Sequence, residues 1–523
     1  MNKIKVNSKG EGSIKKAITI AFMIISMAFL SHAQDFNIKT DSWYFHNYDT
    51  DTLTWDDFRE TYIGIAPTEG ESANFDPIFF DNIFHTNLTD SGNCFGMCLL
   101  ALEMKKNGGC EGFCYPPYLY PGQGYCGGGP LQPELSHSIN IFHGHQLNNN
   151  VIMFILDIVA PPNTYQRDGN YAYNRLQYYM AKGDPCIASI TKDWGLGGDA
   201  HSLIAYNCED DGATKRIYVY DCNRPFCDSI MAENYYGNKS NYIEITTSTG
   251  AWKFTMADGT TVYKGSPDSG GNIIMLPLSI VAPRDRLPES LVADISTIVI
   301  SGSGADVIQV TTVSGRHLFK PGTRELETDK SKRIENIFPF NPFVSKLQKS
   351  KDKKMILFYR SNEPLDLDVK NAGHGYTVAM IGSKGFASVK AINGSGVERI
   401  RIENVNTLSP KVKIANQTKP SYYQVELRSI VKENEKVQVY SIDKINPEVN
   451  SHVNIMISRG GSGIEMISDK KVPQFELRVS ETGKEKINPV KQSINLEQGK
   501  PTKISIERSA DRKELKLKIK ENE

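Results

Sequence analysis

The sequence predicts an α+β domain followed by all-β, sandwich-like modules. Between residues 34 and 285, helical patterns come first and short β-like runs follow, an order typical of α+β folds. From residue 286 onward the chain consists of alternating β-like runs, such as KVQVYSID and HVNIMISRG, separated by regular turns. A chain of 523 residues is long enough for about three domains.

The first part of the α+β domain has helical patterns. DTLTWDDFRETY favours a helix with Thr54 as its N-cap and acidic residues in its first turn. CFGMCLLALEMKKNGG favours a helix that begins at Cys94 and ends at Gly108-Gly109, with two lysines in its last turn. Residues 110–133 form a Cys/Gly/Pro/Tyr-rich loop, and two more helical patterns lie near 135–159 and 171–182.

The period then changes to that of β-strands. Six short runs with Gly or Asp turns between them predict an antiparallel sheet: CIASITKDW, HSLIAYNCED, RIYVYDCN, NYIEITTSTG, WKFTMADG and NIIMLPLSIV. The β-like region beyond them is long enough for two sandwich-like modules, which we assign to residues 286–410 and 411–523.

The N-terminus has the pattern of a secretory signal peptide. Basic residues end at Lys15-Lys16, a 14-residue apolar run (AITIAFMIISMAFL) follows, and SHA precedes Gln34. This run is too short for a comfortable membrane span. Residues 1–33 are therefore expected to be removed, and the mature chain is expected to be secreted, periplasmic or at the cell surface, without a stable membrane anchor. The signal and the motifs below suggest a bacterial source.

Charge divides the mature chain. Residues 34–285 contain 15 basic and 30 acidic residues, whereas residues 286–523 contain 40 basic and 29 acidic ones. This asymmetry indicates separate modules with different surfaces. Because phosphate binding requires a basic face, the acidic first module is not expected to bind nucleic acid.

All nine cysteines lie between residues 94 and 227. An exported protein can hold disulfides, and an odd number leaves one thiol over. If one cysteine is a nucleophile, eight remain for up to four bridges, whose pairing stays open. Cys110-x3-Cys114 and His143-Gly-His145 lack a second ligand pair at zinc-finger spacing, so we predict no metal and no cofactor.

Cys94 is the candidate nucleophile. It follows the turn residues Ser91-Gly92-Asn93, so its sulfur lies at a helix N-terminus, which stabilises a thiolate. Its own N–H is in the first turn and can donate to an oxyanion. Cys98 lies one turn further in, where no unpaired N–H is expected, and is assigned to the core or to a bridge.

A histidine and two orienting candidates follow in the right order. His201 begins an apolar strand, and Asp221 and Asn223 end the next one. A hairpin of this length brings the end of its second strand beside the start of its first. The imidazole can then be oriented by a carboxylate or an amide, as a catalytic triad requires.

These segments resemble papain-like cysteine peptidases, particularly bacterial members with an NCFGM-type cysteine motif. The resemblance rests on GNCFGMCLLAL, GDPCIASI, DAHSLIAYN and RIYVYDCNRP, and it covers about residues 50–280. It implies that residues 34–285 are a peptidase domain acting on a protein or peptide. It further implies that Cys94 is the nucleophile, His201 the general base and Asp221 the orienting residue, with Asn223 as the alternative for that last role.

The sequence departs from the papain pattern in two places. Papain-like enzymes usually have an oxyanion glutamine six residues before the cysteine, where this chain has Leu88. Asn87 is the nearest amide and our substitute, with Asn93 as another candidate. Cys98 stands where a small residue is common.

Two alternatives remain open. Transglutaminase-like and cell-wall amidase folds also place a cysteine at a helix start and His and Asp on later strands. In the second alternative, the chain is a non-catalytic, disulfide-stapled exported binding or adhesion protein. In each case the C-terminal β modules are expected to anchor, space or bind a surface or substrate.

Overall fold

The computed structural model describes most of the chain beyond residue 35. The signal-peptide prediction for residues 1–33 lies outside the described residues. In the part described, no helix is long and apolar enough to cross a membrane. The described residues are 36–49, 53–69, 75–88, 92–122, 129–159, 165–192, 199–226, 241–256, 259, 262–288, 295–302, 305–323, 327, 329, 331–340, 355–373, 375–392, 395–416, 421–431, 436–459, 461–482, 487–509 and 515–521.

Helices dominate the first half of the N-terminal domain. The α-helices are α1 Ile38–Asp41, α2 Trp55–Thr61, α3 Asp76–Phe79, α4 His85–Leu88, α5 Cys94–Asn107, α6 Pro133–Gly144, α7 Asn149–Val159, α8 Gly169–Ala181 and α9 Leu278–Val281. A π-helical turn at Phe80–Phe84 joins α3 to α4, and 3-10 turns lie at Pro117–Leu119, His145–Leu147 and Tyr165–Arg167. The two patterns predicted near 135–159 and 171–182 correspond to α6 with α7 and to α8.

Local chemistry sets the helix ends where the sequence predicts them. Thr54 caps α2 in a capping box, in which its hydroxyl accepts from the Asp57 N–H and the Asp57 carboxylate accepts from the Thr54 N–H at 2.6 Å. Helix α5 begins at Cys94 and ends at Asn107, and it is capped by Gly108, whose φ of 71° is the left-handed conformation that favours glycine. Both predictions are confirmed.

The predicted antiparallel sheet is confirmed, with strand order β10-β3-β4-β5-β6-β7-β8-β9. Its strands are β3 Cys186–Thr191, β4 Ala200–Asp210, β5 Thr214–Tyr220, β6 Tyr242–Thr246, β7 Trp252–Thr255, β8 Val262–Ser266, β9 Ser269–Gly270 and β10 Ile273–Pro277. A short hairpin, β1 Gly109–Cys110 with β2 Phe113–Cys114, lies in the loop that follows α5.

Helices cover both faces of the central strands. Along β4, Ile204 belongs to the core that contains α5, whereas Leu203 and Ala205 belong to a second core that contains α8. Because side chains alternate between the faces of a strand, α5 and α8 lie on opposite sides of the sheet. Strand β3 is accordingly buried at every position.

The C-terminal half consists of two large antiparallel sheets. One has nine strands in the order β13-β14-β11-β16-β17-β20-β21-β24-β25, and the other has eight in the order β12-β15-β18-β19-β22-β23-β26-β27. An apolar core contributed by both sheets makes this a sandwich. The strands are β11 Ile295–Ser301, β12 Ala305–Thr312, β13 Ile337–Phe340, β14 Met355–Arg360, β15 Leu365–Ala372, β16 Tyr376–Ile381, β17 Gly385–Ala391, β18 Ser395–Glu403, β19 Lys411–Asn416, β20 Tyr423–Val431, β21 Lys436–Ile445, β22 Ser451–Ile457, β23 Gly463–Ser468, β24 Val472–Thr482, β25 Ile487–Leu496, β26 Thr502–Arg508 and β27 Leu515–Glu521.

Both sheets continue through the predicted boundary at 410/411. Strands β18 and β19, on either side of it, are hydrogen-bonded neighbours, with Ile400 opposite Ile414. Strand β17 likewise pairs with β20. At this point the structure therefore has one continuous pair of sheets.

The nine-stranded sheet is buried on both of its faces near β14. Met355, Leu357 and Tyr359 face the sandwich core, whereas Ile356 and Phe358 belong to the core of the N-terminal domain. The N-terminal domain therefore packs on the outer face of this sheet, which explains why MILFYR is a continuous apolar run.

Candidate active site

The start of α5 is held by an N-terminal segment without regular secondary structure, residues 43–49. The Trp43 indole donates to the Met97 carbonyl at 2.8 Å, and the Asn93 N–H donates to the Tyr48 carbonyl at 3.1 Å. Asp49 forms an antiparallel bridge with Gly92. Trp43 is fully buried. This segment is part of the domain core, and it fixes the position of Cys94.

Helix α6 supports α5 from the other side. A Cβ placed on Gly96 would lie 2.3 Å from the Ile139 carbonyl oxygen and 2.9 Å from the Cβ of His143. Only glycine allows the two helices to approach so closely. This contact fixes α5 two residues after Cys94.

Strands β4 and β5 bring His201 and Asp221 together. The register places Ile204 opposite Tyr220, so the start of β4 lies beside the residues that follow β5. His201 Nε2 hydrogen-bonds Asp221 Oδ1 at 2.7 Å. Because a carboxylate only accepts hydrogen bonds, Nε2 is the donor. Both side chains are completely buried.

The Cys94 thiol completes this group. Its sulfur lies close enough to the His201 imidazole to raise the pKa of the ring. Because Asp221 engages Nε2 and Nδ1 has no other hydrogen-bond partner, Nδ1 is the ring nitrogen left for the sulfur. Cys94 is also fully buried. The structure therefore brings together the three residues that the sequence singles out as a triad.

The electrostatics of the group favour an imidazolium. Burial alone would lower the pKa of His201, but the Asp221 carboxylate and then the Cys94 sulfur act in the opposite direction, and the pKa lies well above its ordinary value. The protonated ring therefore lies between the Asp221 carboxylate and the Cys94 sulfur.

Asn223 occupies a second position around the imidazole. Its backbone N–H donates to Asp221 Oδ1 at 2.8 Å, whereas its side-chain Nδ2 lies 3.5 Å from His201 Nε2. The shorter and charged contact is that of Asp221, so Asp221 is the primary orienting group and Asn223 supports the carboxylate.

Sequence reasoning missed the neighbours of Asn223. The Asn47 amide donates to Asn223 Oδ1 at 2.9 Å, and His46 Nδ1 lies 3.1 Å from the Asn223 carbonyl oxygen. Both residues belong to segment 43–49, whose Tyr48 carbonyl accepts a hydrogen bond from the Asn93 N–H. Their only sequence signal is the aromatic stretch around them, which indicates burial and not a place beside the triad.

The candidates for an oxyanion site differ in position. Asn87 lies in α4, and its side chain is outside the described residues. Asn93 is the N-cap of α5, is fully buried and has the Tyr48 hydroxyl as a neighbour, and its side chain makes no capping bond to the helix. The Cys94 N–H lies in the first turn, where backbone donors have no partner within a helix.

The predicted disulfides do not occur among the described cysteines. Seven are thiols, which corrects the prediction for this part of the chain, and Cys126 and Cys227 lie outside it. The described thiols are spread over α5, the β1–β2 hairpin, β3, β4 and the residue after Asp221: Cys94, Cys98, Cys110, Cys114, Cys186, Cys208 and Cys222. Cys98 is in the core, one of the two places assigned to it.

The other histidines near α5 have structural contacts. His137 lies between the carboxylates of Asp57 and Glu60, at 2.7 and 3.0 Å. His145 Nδ1 lies 2.9 Å from the Val281 carbonyl oxygen, and burial lowers the pKa of His143 to about 3. Among the described residues, no group of three or more His, Cys, Asp or Glu side chains is placed to hold a metal ion.

Comparison of the chain with protein-family models, with curated proteins and with solved structures gives no match.

Proposed function

We propose that this chain is an exported thiol hydrolase of the papain-like type, which cleaves peptide or amide bonds. One observation carries the proposal: the buried side chains of Cys94, His201 and Asp221 are neighbours, in that order, at the N-terminus of α5. The order of these residues along the chain and the helix-then-sheet architecture agree with the resemblance to papain-like peptidases.

In the proposed reaction, the Cys94 thiolate attacks the carbonyl carbon of the substrate amide. Negative charge develops on the carbonyl oxygen, where the Cys94 N–H and an amide side chain, for which Asn93 is the described candidate, donate hydrogen bonds. His201 gives its proton to the leaving amine, and an acyl-enzyme remains. The neutral His201 then takes a proton from water as the water attacks the thioester carbonyl. The C–S bond breaks, the acid product leaves, and the thiolate–imidazolium pair is restored.

Asp221 keeps His201 usable in both steps. Its hydrogen bond to Nε2 fixes the ring, so that Nδ1 is the nitrogen that exchanges protons with sulfur, amine and water. Its charge stabilises the imidazolium that precedes attack. Asn223 holds the carboxylate in place through its backbone N–H.

The buried state of the triad has a consequence for access. Because Cys94 has no solvent-exposed surface, any reagent or substrate must reach it through an opening motion. The rate of thiol alkylation is therefore expected to saturate with reagent concentration, whereas alkylation of an exposed thiol such as Cys114 remains proportional to it.

The proposal is tested by alkylating the native mature chain with iodoacetamide and mapping the label by mass spectrometry. Labelling of Cys94 that is slowed strongly in His201→Ala is expected, whereas labelling of the exposed Cys114 should be the same in both proteins. Cys186→Ser is the matched control, because Cys186 is also fully buried but lies on β3, where its thiol contacts the Asp184 carbonyl. Labelling of Cys94 that is independent of His201 contradicts the proposal.

The acyl acceptor is decided by a second assay on the same protein. A peptide library is incubated with and without an added primary amine. Hydrolysis products alone support the hydrolase. Amine-linked products that exceed hydrolysis support transglutaminase-type transfer, and the absence of both, with an unreactive Cys94, supports a non-catalytic binding protein.

We assign the C-terminal sandwich a role in surface or substrate binding at the site of export. This assignment rests on two observations. The sandwich has more basic than acidic residues, whereas the N-terminal domain has more acidic than basic ones, and the sandwich and the N-terminal domain share a buried apolar core. The experiment is to compare sedimentation of the full chain with whole bacterial cells and with purified peptidoglycan. Recovery of all of the protein in the supernatant contradicts this role.

A further inference from the structure

Segment 43–49 also holds the turn that follows β5. The Asn47 N–H donates to the Cys222 carbonyl at 2.9 Å, and the Asn47 side-chain nitrogen Nδ2 donates to Asn223 Oδ1 at 2.9 Å. His46 Nδ1 lies 3.1 Å from the Asn223 carbonyl oxygen and is the donor, since a carbonyl only accepts. Asn47 is buried. These bonds fix the turn against the segment and present the Asn47 amide to the Asn223 side chain.

The Asn47 contact decides which end of the Asn223 amide faces the imidazole. Because Asn223 Oδ1 accepts from Asn47, its Nδ2 is the end turned toward His201, at 3.5 Å from Nε2. The Nε2 proton is donated to Asp221 Oδ1 at 2.7 Å. Both nitrogens are donors, so the Asn223 side chain offers the ring no acceptor. If this amide were rotated by half a turn, its Oδ1 would face Nε2 and accept a hydrogen bond from it.

We infer that Asn47 is a positioning residue for His201. It holds the Asn223 amide with its nitrogen toward the imidazole, so that Asp221 is the acceptor for the Nε2 proton. This inference rests on the proposed function, in which His201 must give a proton to the leaving amine. A second acceptor at Nε2 would hold the imidazolium more strongly and oppose that transfer. The Asn47 contact therefore limits how strongly the charged ring is held.

Other titratable groups surround His201, and they are the same in every variant compared below. The Tyr263 ring on β8 lies 6.3 Å from the imidazole, centre to centre, and the Lys192 ammonium lies 5.7 Å from the centre of the Tyr263 ring. The groups come from α5, the turn after β5, β8, the end of β3 and segment 43–49: Cys94, Cys98, Asp221, Cys222, Arg224, Tyr263, Lys192 and His46. A shift of the pH profile in these variants therefore reports the change at Asn47.

The test is the pH profile of Cys94 alkylation by iodoacetamide in the full mature chain, for wild type, Asn47→Ala and Asn47→Asp. In Asn47→Asp the new carboxylate only accepts, so Asn223 must turn its Nδ2 toward position 47 and its Oδ1 toward the imidazole. The alkaline limb is expected to move to higher pH by about 1–2 units in Asn47→Asp. In Asn47→Ala, which only releases the amide, we expect a shift of about 0.5–1 unit.

The direction of the shift separates positioning from a loss of packing. A loosened site loses the carboxylate that stabilises the imidazolium, so its alkaline limb moves toward acid. The double variant Asn47→Ala/Asn223→Ala is expected to match Asn223→Ala, because the effect of Asn47 passes through that side chain. Asn148→Ala is the matched control, since Asn148 is buried and its Nδ2 donates to the Pro283 carbonyl at 3.0 Å. Its profile is expected to equal that of wild type.

Circular dichroism and Tm establish which variants are folded, and Asn47→Ala decides alone if Asn47→Asp does not fold. The inference is overturned by a folded Asn47 variant whose alkaline limb stays in place or moves toward acid. It is equally overturned by an Asn47→Ala shift that persists in the Asn223→Ala background.

A second readout does not depend on the thiol. The His201 ring is titrated by NMR in histidine-labelled Cys94→Ala, where adding Asn47→Asp is expected to raise the pH at which the ring loses its proton. The two failures are distinguishable. Labelling of Cys94 that is independent of His201 contradicts the hydrolase, whereas labelling that depends on His201 but has an unmoved alkaline limb in the Asn47 variants contradicts only the role of Asn47.

Discussion

The strongest prediction concerns Asp221→Asn. Asparagine has nearly the same shape as aspartate and keeps an oxygen that can accept from the Asn223 N–H, so the fold around the site is expected to persist. What the substitution removes is the negative charge 2.7 Å from His201 Nε2, in a place where neither side chain contacts solvent. Water cannot replace that charge, so the imidazolium loses its main stabiliser.

The magnitude follows from the kind of bond that is lost. Hydrogen bonds to charged groups contribute about 1.5–3 kcal/mol, and each 1.4 kcal/mol is about tenfold in an equilibrium. The population of the thiolate–imidazolium pair is therefore expected to fall roughly 10- to 150-fold. Asn223→Ala removes the 3.5 Å side-chain contact to the imidazole and the bond from Asn47 but no charge, and it is expected to change this population by less than about threefold.

The pH dependence gives a second readout. Because Asp221 raises the pKa of His201, the protonated ring persists above the ordinary histidine range, and its stabilising contribution disappears only as pH rises through that raised pKa. Without the carboxylate this loss occurs at lower pH. The alkaline limb of the Cys94 alkylation profile is therefore expected to move toward acid in Asp221→Asn.

The assay is the second-order rate of iodoacetamide labelling at Cys94 between pH 5 and pH 10, at low reagent concentration, for wild type and both variants. Circular dichroism and Tm establish that each variant is folded. The reasoning is wrong if folded Asp221→Asn keeps the wild-type rate and pH profile, or if Asn223→Ala slows labelling more than Asp221→Asn does.

Three further predictions concern the scaffold. Gly96→Ala forces α5 away from the Ile139 carbonyl and is expected to lower the free energy of unfolding by about 1–3 kcal/mol, measured by urea denaturation. Burial would raise the pKa of Asp41, but its bonds to Lys105 and to a tyrosine hydroxyl hold it below the ordinary value. The stability that the charged Asp41 carboxylate contributes is present at neutral pH and is lost as pH falls through that lowered pKa. Asp41→Asn is therefore expected to be less stable than wild type by about 2 kcal/mol at pH 7 and nearly equal to it in acid, as measured by thermal melts at both pH values. Phe358→Ala on the outer face of the nine-stranded sheet is expected to cost about 3–5 kcal/mol and to lower the Tm of both domains in calorimetry, whereas an unchanged first transition contradicts a shared core.

Much of the local structure could be predicted because its causes are local. The Thr54 capping box, the extent of α5 from Cys94 to its cap at Gly108 and the antiparallel sheet each depend on residues close together in the sequence. The order of Cys94, His201 and Asp221 also suffices to predict which strands must be neighbours, since the hairpin between the last two is short. The sequence by itself thus determined the elements and the chemical types at the site.

Tertiary structure decided what depends on contacts between distant segments. Only the folded chain shows that Asp221, and not Asn223, makes the short bond to His201, and that Asn47 lies beside that pair. It alone shows that Cys98 and Cys222 are both buried in the core that contains α5, and that the nine-stranded sheet is buried on both faces. Such contacts leave no period or cap in the sequence, because packing between segments more than a hundred residues apart depends on shape, which composition and spacing do not encode.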